Sequence, residues 1–267
     1  PRNGTEEIIT SQVSKAWPVS DAAVGGYTYV LEILTGIVGT RRRWRTMPWL
    51  VVLFGLMIAP LGITSIFFIV IQPIVIGTWS TLALIGAAAM LIQIPYSLDE
   101  LLATFQFLRR RVRSGRNWLR VFLFGDTDEG DPAKPSDEFD PRPGVILAEM
   151  WTGGVRLPWN LAVAAAIGLW LMFTRVTLGV DDEMANVDHL VGALALTVIS
   201  LAAAEVARPL RFLLVPFGAS LLIVPFTYQP GAAATISSLI CGIGLMLLSL
   251  RRGSIVQRYG GWQRLIV

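Results

Sequence analysis

The sequence is poor in the residues on which redox and metal enzymes depend. Its 267 residues include one cysteine, Cys241, and one histidine, His189. A single cysteine excludes a disulfide or a CxxC couple within these residues, and a single histidine excludes a site built from several histidines. We therefore expect no intrinsic dithiol chemistry and no metal centre.

Charge is also scarce, whereas apolar residues are abundant. Charged residues make up 15% of the chain and hydrophobic residues 54%, and the mean hydropathy is +0.60. Such a composition is typical of a protein that is solvated by lipid. The basic residues lie beside apolar runs rather than among base-stacking aromatics, so no nucleic-acid partner is expected. We predict an all-α, polytopic membrane protein whose partners are membrane lipids and other integral membrane proteins.

Seven apolar stretches approach the roughly 20 residues that a transmembrane helix needs. They are residues 20–39, 48–71, 75–97, 157–178, 188–207, 209–227 and 231–250. The first contains Glu32 and several glycines, so an interfacial or re-entrant segment is the alternative there. The sequence predicts about seven transmembrane helices.

Arginines fall on one side of this predicted bundle. They follow spans one, three and seven and separate spans five and six: Arg41, Arg42, Arg43, Arg45, the cluster from Arg109 to Arg120, Arg208, Arg211, Arg251 and Arg252. Cytoplasmic loops carry an excess of arginine and lysine. We therefore expect a bacterial inner membrane protein with a periplasmic N-terminus and a cytoplasmic C-terminus. Because the first residue is Pro1 and not Met, we expect either a signal peptide or an odd number of further spans upstream, and we favour further spans.

Composition divides the chain into three segments. Residues 1–108 and 157–267 are the two predicted membrane domains. Between them, residues 109–156 comprise the basic end of an amphipathic helix and an acidic, proline-rich cytoplasmic linker. Ser97 and Glu100 have the spacing of a capping box, so the amphipathic helix is predicted to begin there and to lie on the membrane surface.

The second membrane domain contains a weak internal repeat with an offset of 50 residues. Its identities pair Gly168 with Gly218, Leu171 with Leu221, and Gly192 with Gly242. Each copy has the pattern of a helical hairpin with a break after its first glycine. Small residues at these positions predict close helix packing.

These hairpins and the tail from Arg258 to Trp262 resemble the bacterial SPW-repeat membrane family. The Ser-Pro-Trp triplet of that family corresponds to Thr174-Arg175-Val176 and to Val224-Pro225-Phe226, in which only Pro225 matches. The resemblance implies two SPW-like helical hairpins in residues 157–267 and implies no particular chemistry.

A second resemblance concerns the first membrane domain. It is carried by four stretches: Ser14 to Asp21, Gly25-Gly26-Tyr27, Gly77 to Ala83, and Met90 to Pro95. They resemble the later helices of bacterial vitamin K epoxide reductase homologues, with the first helix of the family missing. In that family the last core helix opens with Trp-Cys-x-x-Cys. Its thiols receive electrons through a loop cysteine pair and pass them to a bound quinone.

In this chain the two thiol positions correspond to Ser80 and Ala83. Neither side chain can form a disulfide, so the resemblance implies a reductase-like protein that has lost its CxxC catalytic site. A quinone pocket could persist without the thiols. The residues expected to form it are Ser14, Tyr27, Gln72, Trp79 and Ser80. The alternative for these side chains is an interfacial aromatic belt and helix capping.

His189 follows Asp188 near the predicted start of span five. The side chain of His189 could bind a metal ion, bind a chlorin pigment or act as a pH sensor. A local hydrogen bond between the two neighbours accounts for the pair without a ligand, and we favour that interpretation.

Together these patterns predict a non-catalytic accessory or scaffold subunit of a larger membrane complex, such as a respiratory or photosynthetic electron-transfer assembly. The first alternative is a quinone-binding redox protein that uses thiols or a cofactor supplied by a partner. The second is a membrane protein that handles lipids or other small molecules.

The orientation can be tested with single cysteines in a Cys241→Ser background. We expect Arg116→Cys to resist a membrane-impermeant thiol reagent in intact cells and a cysteine within residues 179–187 to react, because arginine-rich segments stay in the cytoplasm. Labelling only at position 116 would show that the orientation is reversed.

Overall fold

A computed structural model describes residues 4–15, 21–38, 43–126, 157–180, 182–229 and 231–255. Across these ranges the chain is helical apart from short connections, and no strand occurs in them. Five of the described helices are long and apolar enough to cross a membrane. The predicted all-α, multi-pass membrane fold is confirmed.

The N-terminal half is built around two long helices that are joined by a tight connection. Its described helices are α1 (Gly4–Ile9), α2 (Gln12–Lys15), α3 (Asp21–Ile37), α4 (Arg43–Thr46), α5 (Pro48–Ile71), α6 (Thr81–Arg113) and α7 (Trp118–Phe124). A π-helical turn, Gln72–Ile76, extends α5. Gly77 ends this turn with φ at 77°, in the left-handed region that glycine adopts without strain.

The C-terminal half consists of two helical hairpins. Its described helices are α8 (Trp159–Met172), α9 (Thr174–Thr177), α10 (Asp182–Ala203), α11 (Leu214–Tyr228) and α12 (Ala232–Leu250). A 3-10 helix, Glu205–Leu213, joins α10 to α11. Residues 127–156, which include most of the predicted acidic linker, and the tail at 256–267 lie outside the described residues.

Two of the seven predicted spans are shorter than a full crossing. The first forms α3, which has 17 residues. The fourth forms α8, which has 14 residues and is separated from α9 by a break at Phe173. Because a helix rises about 1.5 Å per residue, α8 reaches only about 21 Å of a hydrocarbon core that is about 30 Å thick.

The predicted surface helix that begins at Ser97 is wrong. Helix α6 continues without interruption over 33 residues, and Ser97 is buried inside it. Glu100 pairs instead with the Arg43 guanidinium, at Nε–Oε1 and Nη2–Oε2 distances of 2.5 and 2.6 Å. A Ser-x-x-Glu spacing also occurs inside helices, and the residue that caps α6 is Ser80.

Apolar cores hold the helices together within each half and between the halves. Helices α5 and α6 enclose Phe54, Ile58, Met90 and Ile94. Helices α8, α10, α11 and α12 share a larger core that includes Leu161, Leu171, Leu221 and Leu245. A third cluster contains Ile69 from α5 together with Met172, Ala193 and Leu196 from the C-terminal half. The two halves therefore pack as one helical bundle.

The glycines of the internal repeat lie at two equivalent helix crossings. A Cβ atom added to Gly192 would lie 2.5 Å from the carbonyl oxygen of Gly168, and one added to Gly218 would lie 2.5 Å from that of Gly242. The side chains beside Gly168 and Gly218 also come from positions 50 residues apart, Leu196 and Met246. The predicted close packing is confirmed. Membership of the SPW-repeat family stays a prediction.

Enlarging a crossing glycine should destabilise the bundle. We expect Gly192→Ala and Gly218→Ala each to lower the free energy of unfolding by about 1–3 kcal/mol, because the added methyl group meets backbone atoms that cannot move aside. Thermal unfolding of the detergent-purified protein measures this change. Gly36→Ala on α3 is the control, since its Cβ would meet a neighbour only at 4.0 Å. Equal unfolding temperatures for all three variants would contradict the prediction.

Candidate functional site

The connection between α5 and α6 is held by the side chain of Gln72. Its Oε1 accepts a hydrogen bond from the Ser80 backbone N–H at 3.2 Å, and the residue is 2% exposed. Because α6 begins at Thr81, this N–H belongs to the donors that have no partner within the helix. An unpaired donor is costly inside a bilayer. Gln72 therefore stabilises the start of α6.

Ser80 is the N-cap of α6. Its Oγ accepts a hydrogen bond from the Ala83 N–H at 3.3 Å and lies 3.1 Å from Oγ1 of Thr5. The two residues that correspond by resemblance to thiols thus lie in the first turn of one helix. The Ser80 hydroxyl links that turn to α1.

Helix α1 packs directly on this connection. A Cβ atom added to Gly4 would clash with the carbonyl oxygen of Trp79, so only glycine permits the observed approach. Thr5 and Ile8 then line the space beneath α1. In this way α1 forms a wall at the Ser80 end of the site.

A cavity of about 650 Å³ extends from Ser80 between α3, α5 and α6. Its larger apolar lining residues are Ile8, Ile33, Leu61, Phe68, Leu82 and Ile85. Its polar lining residues are Thr5, Tyr29, Glu32, Thr64, Ser65, Gln72, Ser80 and Gln93. A mostly apolar wall with a few polar groups is typical of a site for a small hydrophobic molecule.

The structure brings together only part of the predicted quinone pocket. Gln72 and Ser80 line the cavity, whereas Ser14, Tyr27 and Trp79 are not among its lining residues. Tyr27 is 66% exposed on α3. Successive helical residues point about 100° apart, so a position near the membrane surface does not determine which side chain faces inward.

Sequence reasoning missed six of the eight polar cavity residues, among them Tyr29, Glu32 and Gln93. The Tyr29 hydroxyl lies 3.5 Å from Oγ of Ser65, across the cavity wall. The sequence does contain a signal for Glu32, because an ionisable residue within a predicted membrane span is a candidate functional residue. Gln93 and Tyr29 had no comparable signal.

Trp79 faces the C-terminal half instead of the cavity. Its ring lies edge-on to Phe173, with the centroids 4.8 Å apart, and stacks on His189 at 6.0 Å. Trp79 therefore contributes to the contact between the two halves.

The predicted hydrogen bond between Asp188 and His189 is wrong. The His189 ring nitrogens lie 3.2 Å from the Met172 carbonyl oxygen and 2.9 Å from that of Ile69. Asp188 accepts instead from the Thr174 hydroxyl at 3.0 Å. The two side chains are neighbours in one helix and consequently point toward different helices. Within the described ranges, no three His, Cys, Asp or Glu residues are grouped so as to hold a metal ion.

Comparison with known proteins identifies the N-terminal domain. Residues 2–98 match the model of the Vitamin K epoxide reductase family. No curated protein and no solved structure matches the chain. This match covers about a third of the chain. It identifies residues 2–98 as a vitamin K epoxide reductase family domain, which belongs to a redox-related family. The domain is part of a multi-pass membrane protein. The correspondence of Ser80 and Ala83 to its thiols stays a prediction.

Removing the Ser80 hydroxyl should weaken the start of α6. We expect Ser80→Ala to cost about 1 kcal/mol of unfolding free energy, because the Ala83 N–H loses its cap and α1 loses a contact. Chemical denaturation in detergent provides the measurement. Ser114→Ala is the matched control, since that exposed hydroxyl donates only to the Arg111 carbonyl oxygen of its own turn. An equal effect in the two variants would contradict a capping role for Ser80.

Proposed function

We propose that this protein binds a quinone-type lipid in the cavity between α3, α5 and α6 and carries out no dithiol exchange of its own. The observation that carries the proposal is the cavity itself, which begins at Ser80 and Ala83 in a vitamin K epoxide reductase family domain. A quinone-binding role is consistent with a redox-related family. The absence of a second cysteine within the 267 residues accounts for the lack of dithiol exchange.

The cavity fits a ligand of this kind in size and chemistry. Ligand sites commonly have volumes of about 300–1,000 Å³, and this one has about 650 Å³. Gly25 and Gly26 lie along its wall, where an added Cβ would meet nothing within 4 Å. When bound, a quinone would supply a two-electron carrier. The apolar lining residues would contact its ring and tail, and the polar side chains of Ser80 and Gln72 would lie beside it.

Cys241 does not take the place of the missing thiols. It lies in α12 and is buried in the core of the C-terminal half, and it is not among the cavity residues. Exchange of electrons with a bound quinone would therefore require thiols or a cofactor from outside these 267 residues.

The role as an accessory subunit of a respiratory or photosynthetic complex stays a prediction. Small-residue faces at Gly25-Gly26 and at Gly242 and Gly244 would permit close contact with another membrane protein. The structure places the first pair along the cavity and packs Gly242 on Gly218 and Gly244 near Ile167. These glycines serve packing and space within the chain, so they no longer favour contact with another protein.

Quinone binding can be measured as ligand-induced stabilisation. We expect a short-chain quinone to raise the unfolding temperature of the purified protein, because a ligand that binds only the folded state stabilises it. Ala83→Phe should abolish this increase, since Ala83 lines the cavity and the larger ring would occupy it. Dithiothreitol and quinone should give no protein-dependent turnover.

The control variant is Ala233→Phe, which adds the same ring at an exposed position of α12. It should retain the increase in unfolding temperature, and the variants should unfold alike without quinone. The proposal fails if quinone leaves the wild-type unfolding temperature unchanged. Turnover that persists in Cys241→Ser would refute the non-catalytic part.

A further inference from the structure

We propose that α7 and the end of α6 form a binding surface for anionic phospholipids at the edge of the membrane. Apolar side chains of α7 enter the lipid, and neighbouring arginines contact the phosphate groups. This surface lies at the opposite end of α6 from Ser80, so it is separate from the candidate quinone site.

The end of α7 lies at the level where α5 enters the membrane. Helix α5 opens the apolar span Pro48–Ile76. The backbone N–H of Asp126 donates to the carbonyl oxygen of Arg45 at 3.1 Å, and a Cβ atom added to Gly125 would clash with the carbonyl oxygen of Thr46. Because these contacts join the residues just after α7 to the residues just before α5, they hold α7 at the membrane surface.

Helix α6 extends beyond this level. Phe107 is fully buried and lies edge-on to Trp44, which precedes α5, with the ring centroids 5.6 Å apart. Arg113 follows Phe107 by six residues on α6, which corresponds to a rise of about 9 Å. A headgroup layer adds roughly 5–8 Å to each side of the hydrocarbon core. The end of α6 therefore lies at the level of the lipid headgroups.

The side of α7 that faces away from the protein is apolar. Val121 is buried against the bundle, whereas Leu119 and Leu123, each two positions away and about 160° around the helix, are exposed. Trp118 and Phe124, at the two ends of α7, are 59% and 78% exposed. Such exposure is unfavourable in water, whereas lipid solvates apolar side chains. With seven residues, α7 is too short to cross the membrane and suits its surface.

Arginines in and before α7 supply positive charge that the described part of the chain does not neutralise. Arg109, Arg113 and Arg120 are exposed and take part in none of its ion pairs. Asp126, just after α7, pairs instead with Arg111 at 2.7 Å. A guanidinium group binds phosphate oxygens through parallel hydrogen bonds. An anionic phospholipid therefore satisfies both the charge and the apolar face of this surface.

The test compares two lipids at a fluorophore on α7. Leu123→Cys in the Cys241→Ser background is labelled in the full chain and reconstituted into phosphatidylcholine nanodiscs. A trace of quencher-labelled lipid is either phosphatidylglycerol or phosphatidylcholine with the same chains. We expect phosphatidylglycerol to associate at least about fivefold more strongly, since one arginine near an anionic lipid contributes about that factor. High salt should reduce the preference, because it screens exposed charges.

A label at the other end of the bundle is the control for position. Phe226→Cys, exposed near the end of α11, should be quenched by both lipids alike. This comparison needs no arginine variant to fold.

Two pairs of substitutions locate the effect. Arg113→Gln combined with Arg120→Gln should lower the preference at Leu123→Cys by about fivefold for each arginine removed. Arg251→Gln combined with Arg252→Gln removes the same charge after the end of α12 and should keep the preference.

Equal quenching by the two lipids at Leu123→Cys overturns the proposal, because the surface would then bind lipid without regard to charge. Absence of quenching by either lipid also overturns it, because protein or water would then cover α7. A preference that survives in Arg113→Gln with Arg120→Gln, or that is equally large at Phe226→Cys, contradicts the role of these arginines. All of these results leave quinone binding in the separate cavity unaffected.

Discussion

The arrangement of this protein depends on how the backbone groups at helix ends find partners in a membrane. Lipid offers no hydrogen bonds, so an interrupted helix needs a polar side chain beside each break. Gln72 accepts from the first free N–H of α6. Arg175 donates to the Pro73 carbonyl oxygen at 3.2 Å, and Asn160 donates to two carbonyl oxygens at the end of α12. Polar residues are therefore located where helices end, and each one fixes the contact between two segments.

The same requirement couples the two halves. His189 of α10 lies within hydrogen-bond distance of the Ile69 carbonyl oxygen in α5, and Trp79 stacks on its ring. Ser200 adds a second link by donating to the Leu91 carbonyl oxygen at 2.6 Å. The cavity is lined by residues of the N-terminal half, yet α5 and α6 are positioned from behind by the C-terminal hairpins. This arrangement gives the hairpins a structural role in the candidate site, although none of their described residues lines the cavity.

The proposed binding function rests on the cavity and on the helices that surround it. A family domain at residues 2–98 provides the helices that surround the cavity, and Ser80 occupies the first turn of α6 as a cap. The hydroxyl of Ser80 caps the start of the helix. This structural role accounts for a polar side chain at position 80 and requires no catalytic role.

Composition and hydropathy by themselves determined that the protein is helical and membrane-embedded, because lipid solvation constrains every residue of a span locally. The 50-residue offset also predicted the glycine crossings, since only glycine permits such close backbone approach. Tertiary structure alone decided the length of α6, the partners of His189, and which polar residues meet in the cavity. Those features depend on contacts between distant segments and on helix rotation, where a shift of one residue turns a side chain by about 100°. Hydrophobic patterning in a membrane does not report that rotation, because the lipid-facing and buried sides are equally apolar.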